Sequence, residues 1–187
     1  MGYSINERED IHVGLTQVPF GIQEYNSHNW FFNMTYYVGL EDDHDMGIKY
    51  INIGDEFEYQ LAFFKGSELF DLGGSSEVSS NRYAYDIVVN NKEINQLNGK
   101  IIYKTGEDFK QRIGFSAQYG GLYNINTKEV GDHYAFALHH EVFHKRWNLK
   151  TSLITTRHNP INAPGQSREV VKMGAYGLPY DIASDYE

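Results

Sequence analysis

The sequence predicts an all-β fold of about eight long strands in antiparallel, up-and-down order. Three observations predict it. Aromatic residues and glycine are abundant (15 Tyr, 11 Phe, 18 Gly) and proline is scarce, at 4, which is a profile of strands and turns rather than helices. Apolar and polar residues alternate with period two along much of the chain. The connections between the alternating runs are short and long by turns.

The clearest run is Phe109 to Tyr123. Phe109, Ile113, Phe115, Ala117, Tyr119 and Tyr123 fall on one side, interrupted only by Gln111 and Gly121. Lys110, Arg112, Gly114, Ser116, Gln118 and Gly120 fall on the other. Successive side chains of a strand leave opposite faces, so one face is aromatic and the other polar or very small. The run is much longer than the usual strand of about five or six residues. On this reading Phe115 points outward and Ser116 inward, and an arginine should be tolerated at 116 but not at 115.

The other elements follow in order. Asp10 to Val18 sets Ile11, Val13 and Leu15 against Asp10, His12, Gly14 and Thr16. Pro19-Phe20-Gly21 ends that strand, because proline cannot donate to a ladder. A long loop, 19–45, carries an aromatic cluster and closes on Glu41-Asp42-Asp43-His44-Asp45. Gly47 to Ile53 and Phe57 to Lys65 read as a hairpin about Gly54-Asp55-Glu56. A second long loop, 66–95, contains Gly73-Gly74-Ser75-Ser76 and a short strand signal at Tyr83 to Val89. Gln96 to Lys104 alternates Leu97, Ile101 and Tyr103 with Asn98, Lys100 and Lys104. His133 to Phe143 and then Trp147 to Leu153 form another hairpin about His144-Lys145-Arg146. His158 to Ser167 reads as a loop, and Val170 to Gly177 as a last weak strand.

Short turns at one end of the strands and long loops at the other mark an outer-membrane type of barrel. A soluble sandwich mixes connection lengths at both ends. Trp147, Tyr103 and Phe109 fall near short turns, and Tyr134, Tyr119 and Tyr123 near long loops. Those are the two heights at which aromatic girdles meet headgroups. The sequence has no long apolar run that could serve as a transmembrane helix. A mean hydropathy of -0.54 does not conflict with a barrel, whose strands alternate.

Composition and motifs exclude several function classes. A net charge of -9 argues against a nucleic-acid partner. With no cysteine there is no disulfide framework and no thiolate chemistry. The sequence has no HExxH, no glycine-rich phosphate loop and no nucleophile elbow. The histidines are scattered, and His139 and His140 leave opposite faces of one strand. No catalytic residue, metal or cofactor is therefore expected. Glu41 to Asp45 lacks the spacing of an EF-hand loop and reads as a solvated acidic stretch.

The segments Val13-Gly-Leu-Thr-Gln-Val-Pro-Phe-Gly21, Asn29-Trp-Phe-Phe32, Tyr37-Val-Gly-Leu-Glu-Asp-Asp43 and Asp45-Met-Gly-Ile-Lys49 resemble the phosphate-selective-porin-like family of Gram-negative outer-membrane barrels. Leu61-Ala-Phe-Phe-Lys65, Gln118-Tyr-Gly120 and Lys172-Met-Gly-Ala-Tyr176 continue the likeness, which covers nearly the whole chain. The resemblance implies a transmembrane β-barrel in the outer membrane, with the lipid bilayer and small hydrophilic solutes or ions as partners, and a homotrimer as the assembly. The implied activity is passive diffusion. Family members are larger barrels with a signal peptide and a terminal aromatic strand. The present chain lacks both, and so resembles an internal segment, 1–187, of one barrel wall.

In that frame the alternation assigns a pore lining: Lys49, Glu58, Gln60, Lys100, Lys104, Lys110, Arg112, Ser116, Gln118, His139, Glu141 and Lys150. The loop 19–45 is the expected constriction, through Glu24, Trp30, Phe31, Phe32, Glu41, Asp42, Asp43 and Asp45. Its acidic end would oppose inward lysines such as Lys100 and Lys110, and charge of this kind sets ion preference. The loop 66–95 is of the extracellular type. The family's phosphate-binding members use arginine-rich constrictions; loop 19–45 has no arginine, so phosphate specificity is not carried over. The alternative from a different class is a soluble β-sandwich that binds carbohydrate through Trp30, Phe31, Tyr36 and Tyr37.

Overall fold

The computed structural model describes residues 1–22, 40, 43–66, 91–107 and 109–164, together with the backbone of two further strands in the C-terminal region. Eight strands form one sheet in strict sequence order, every neighbour antiparallel. They are β1 (Gly2–Asn6), β2 (Glu9–Gln17), β3 (His44–Ile53), β4 (Phe57–Gly66), β5 (Asn91–Thr105), β6 (Lys110–Asn124), β7 (Val130–His144) and β8 (Trp147–Asn159). The described residues contain no helix. The all-β, up-and-down expectation therefore holds. The eight strands do not close into a barrel, because β1 and β8 stand at opposite edges of an open sheet.

Short turns gather at one rim. Glu7-Arg8, Gly54-Asp55-Glu56, Gly106-Glu107 and Lys145-Arg146 all lie there, and Arg8 Nη2 bonds Asp55 Oδ2 across two of them at 2.7 Å. Gly106 takes a φ of +86° at its turn, a conformation that glycine adopts without a Cβ penalty. At the other rim strands end at Gln17, Gly66, Asn124 and Asn159, and the two longest intervals between consecutive strands of the sheet, 18–43 and 67–90, follow two of those ends.

Several boundaries differ from the alternation, among them β3, which begins at His44 rather than Gly47, and β7, which begins at Val130 rather than His133. β1 escapes notice because Tyr3 and Ile5 give too short a pattern. β5 begins at Asn91 rather than Gln96, for Asn95 has a φ of 52° and the register shifts between Ile94 and Leu97. That bulge changes which parity faces inward, so the pattern cannot be read through it. β8 continues to Asn159, with His158 opposite His133; edge position tolerates its polar end. Val170–Ala175 does not extend the meander but pairs with Leu178–Ala183 in a separate sheet, as β9 and β10. The strand signal at Tyr83 to Val89 lies outside the described residues.

The two faces are inverted relative to a soluble sheet. Phe57, Tyr59, Leu61, Phe63, Ile113, Phe115, Phe136 and Leu138 all lie on the exposed face. The inner face buries Lys49, Glu58, Gln60, Asn98, Lys100, Ser116, Gln118, His139 and Glu141. It also buries Ile102 and Leu122, and an apolar cluster lies against it. Val18, Phe20 and Leu40 pack there with Ala62 and Phe64 of β4 and Ala135 and Ala137 of β7.

Candidate functional site: the polar inner face

A row of alternating charge crosses the inner face near the short-turn rim. Lys104, Arg112, Glu141 and Lys150 are successive register partners on β5, β6, β7 and β8. Glu58 of β4 joins the row, accepting from Lys104 Nζ at 3.3 Å and Arg112 Nη2 at 3.2 Å. Glu141 pairs with Arg112 Nε and Lys150 Nζ, each at 3.6 Å. Ion pairs of this partial exposure add little stability; their consequence is a fixed pattern of charge. Above the row, Lys49, Gln60 and Lys100 join Glu58, Arg112, Glu141 and Ile22 around a cavity of about 230 Å³. Lys49 Nζ donates to the Gln17 carbonyl at 2.8 Å.

Toward the long-connection rim the sign reverses. Asp43, Asp45 and Glu93 are buried and place one carboxylate oxygen each within 4.8 Å of one another. Gln96 Nε2 donates to Asp45 Oδ2 at 3.2 Å, and Gln118 Nε2 to Gln96 Oε1 at 3.1 Å. His133 Nδ1 stands 3.5 Å from Glu93 Oε1. An all-oxygen set of this kind suits a hard cation. The solvated reading of the acidic stretch is overturned at Asp43 and Asp45, which are 2% and 1% exposed. β3 begins at His44 and so turns Asp45 onto the inner face.

The remaining inward residues hold the wall together or present polar groups. Ser116 Oγ accepts from the Gly21 amide at 3.1 Å. Gly114 and Gly120 of β6 face His139 and His133 of β7, and the imidazoles fill the space that a Cβ on either glycine would need. Among the described residues the Asn98 amide and both His139 ring nitrogens have no hydrogen-bond partner. Buried polar atoms of this kind need water or solute on their side of the sheet.

Lys110 lies exposed at the short-turn rim, and Asp43 and Asp45 at the other end, so those charges do not face each other. Glu24, Trp30, Phe31, Phe32, Glu41 and Asp42 lie outside the described residues, as do Tyr36 and Tyr37. Sequence reasoning missed Glu93 because the Asn95 bulge hides its parity. It also missed His133, whose signal is the matching glycine at 120. No family model, curated protein or solved structure matches this chain. Fold and inner face together define a class: a meander wall, polar within and apolar without.

Proposed function

We propose that the chain forms part of the wall of a transmembrane β-barrel in a Gram-negative outer membrane, and that small hydrophilic solutes or ions diffuse passively past its inner face. The inversion of the two faces carries this reading. A soluble sheet turns its aromatic face into a core, but among the described residues no second sheet covers Phe57, Tyr59, Leu61, Phe63, Phe115 or Phe136. A continuous apolar surface of that size is a membrane or protein contact. Lipid suits it, because most of the charged groups lie on the opposite face, and of the outward polar residues Gln111 and His140 bond each other.

The dimensions agree. From Phe109 to Tyr119 the chain advances about 33 Å at roughly 3.3 Å per residue, or about 25 Å in height at the usual tilt of a barrel strand. That is the height of an outer-membrane apolar band. The Phe57 and Tyr103 rings meet in a tilted arrangement, centroids 5.2 Å apart, at the lower edge, and Tyr119 pairs with Tyr134 at the upper edge. Membership of the phosphate-selective-porin-like family, with trimeric assembly, belongs to the same proposal. The test is extraction and reconstitution of the native protein. It should fractionate with the outer membrane, migrate as a heat-modifiable β-rich species and give conductance steps in a planar bilayer. A monodisperse monomer in detergent-free buffer would overturn the reading.

A further inference from the structure

The acidic pocket near the long-connection rim draws on several strands. Asp45 stands on β3 and Glu93 on β5, and Asp43 immediately precedes β3. Asp43 is held in place by its neighbours: its carbonyl accepts from the Val18 amide and its Oδ1 from the His44 amide, each at 2.8 Å. A fourth side chain reaches the pocket from β7. His133 is 1% exposed and is the register partner of Gly120 on β6. A Cβ on Gly120 would stand 2.4 Å from His133 Nε2 and 3.2 Å from the Cβ of Gln96. The imidazole therefore extends across β6 toward β5, with Nδ1 facing Glu93 and Nε2 on the side of Gln96, whose amide holds Asp45. Nε2 has no hydrogen-bond partner among the described residues, and a buried polar atom needs one. Nδ1 stands 3.5 Å from Glu93 Oε1, longer than the usual N–H···O bond of about 2.7–3.2 Å. It is close to the roughly 3.0–3.4 Å that separates two atoms bound to one cation at about 2.1 Å.

We propose that Asp43, Asp45, Glu93 and His133 form a binding site for a divalent cation of the manganese or zinc class. Carboxylates alone suit Ca²⁺ or Mg²⁺. An imidazole aimed among them moves the preference to a first-row transition ion. The inference needs only the sheet and stands apart from the pore reading. No spacing rule finds this set, because its members come from β5, β7 and the start of β3. Binding there would tie those three strands together across the intervening β4 and β6. Without the cation the pocket keeps its full negative charge.

The probe is Mn²⁺, whose electron paramagnetic resonance reports both its binding and its ligands. The full-length protein in detergent, stripped with a chelator, should take up Mn²⁺ and show spin-echo modulation from an imidazole nitrogen. Zn²⁺ should displace the Mn²⁺, because it stands higher in the affinity order; an equal concentration of Ca²⁺ should not. Asp45→Asn should weaken the uptake, and Asp45→Asn with Glu93→Gln should abolish it. Glu58→Gln, in the charge row near the opposite rim, should leave it unchanged. His133→Gln keeps every carboxylate and should remove the nitrogen modulation. Circular dichroism should show the same strand content in each variant. No uptake by the wild-type protein, or uptake unchanged in the Asp45 and Glu93 variants, would overturn the site. Bound Mn²⁺ without nitrogen modulation, displaced by Ca²⁺, would overturn the place of His133 in it and the class of ion.

Discussion

His139 lies directly over Gly114: the two are register partners on β7 and β6, and the imidazole occupies the volume in which a Cβ on Gly114 would stand. The inner wall is therefore close-packed here despite its polarity, with a large side chain on one strand answered by none on the next. Gly114→Ala should destabilise the wall by roughly 1–3 kcal/mol, the usual cost of overpacking. Adding His139→Ala should recover most of that loss, since the double variant removes the clash. Unfolding midpoints in detergent would check it; additive losses in the double variant would show that the two side chains are not coupled.

Face inversion makes a sharper comparison possible. Phe115 is 45% exposed and lies in no protein core. In plain water Phe115→Arg should cost almost nothing. Against lipid near the bilayer midplane it should cost about 2–4 kcal/mol. Ser152 sits on the inner side of β8 and is exposed, and Ser152→Arg should be neutral in either setting. Urea unfolding in lipid vesicles is the measurement, and equal costs at 115 and 152 would count against a lipid-facing Phe115.

Ser116 shows where sequence stops being sufficient. Alternation places it inward, which the structure bears out, and from that alone an arginine looks harmless there. Gly21 sits on its hydroxyl, so a large residue at 116 collides with the returning chain. Period two reports the direction of a side chain but not what the chain does twenty or a hundred residues away. The strand faces were legible because each is a local pattern. The Asp43, Asp45 and Glu93 cluster was not, because it needs the Asn95 bulge and the pairing of distant strands. The charge row from Glu58 to Lys150 was half legible: each residue could be placed inward, but its level in the row depends on register.

Trp147 offers an independent reading of the outer surface. It is 79% exposed at the short-turn rim, next to the exposed Leu149. In a barrel that position is an interfacial girdle, where indole is favoured. Trp30→Phe would leave Trp147 as the single tryptophan. In vesicles its emission should be blue-shifted and quenched more strongly by lipids brominated near the headgroup than by those brominated at the chain end. Emission like that of free tryptophan in water, with no quenching, would place the residue away from lipid.

The last prediction concerns ion preference. The inner face carries an acidic band near the long-connection rim, Asp43, Asp45 and Glu93, and a predominantly basic row near the short-turn rim, where Lys104, Arg112 and Lys150 outnumber Glu58 and Glu141. On the pore reading, an ion in transit would meet both bands in series. Each band acts over about a Debye length, roughly 8 Å at physiological salt, and more strongly where a low-dielectric wall confines the field. Asp45→Asn with Glu93→Gln weakens the acidic band alone and should shift the permeability ratio toward anions. Glu58→Gln raises the net positive charge of the basic row and should shift it the same way. Lys100→Gln, in the cavity between the bands, should shift it toward cations. All three effects should shrink as salt rises. Reversal potentials in a planar bilayer under a salt gradient give the sign in each case. A ratio unmoved by all three variants would mean that ions do not pass along this face.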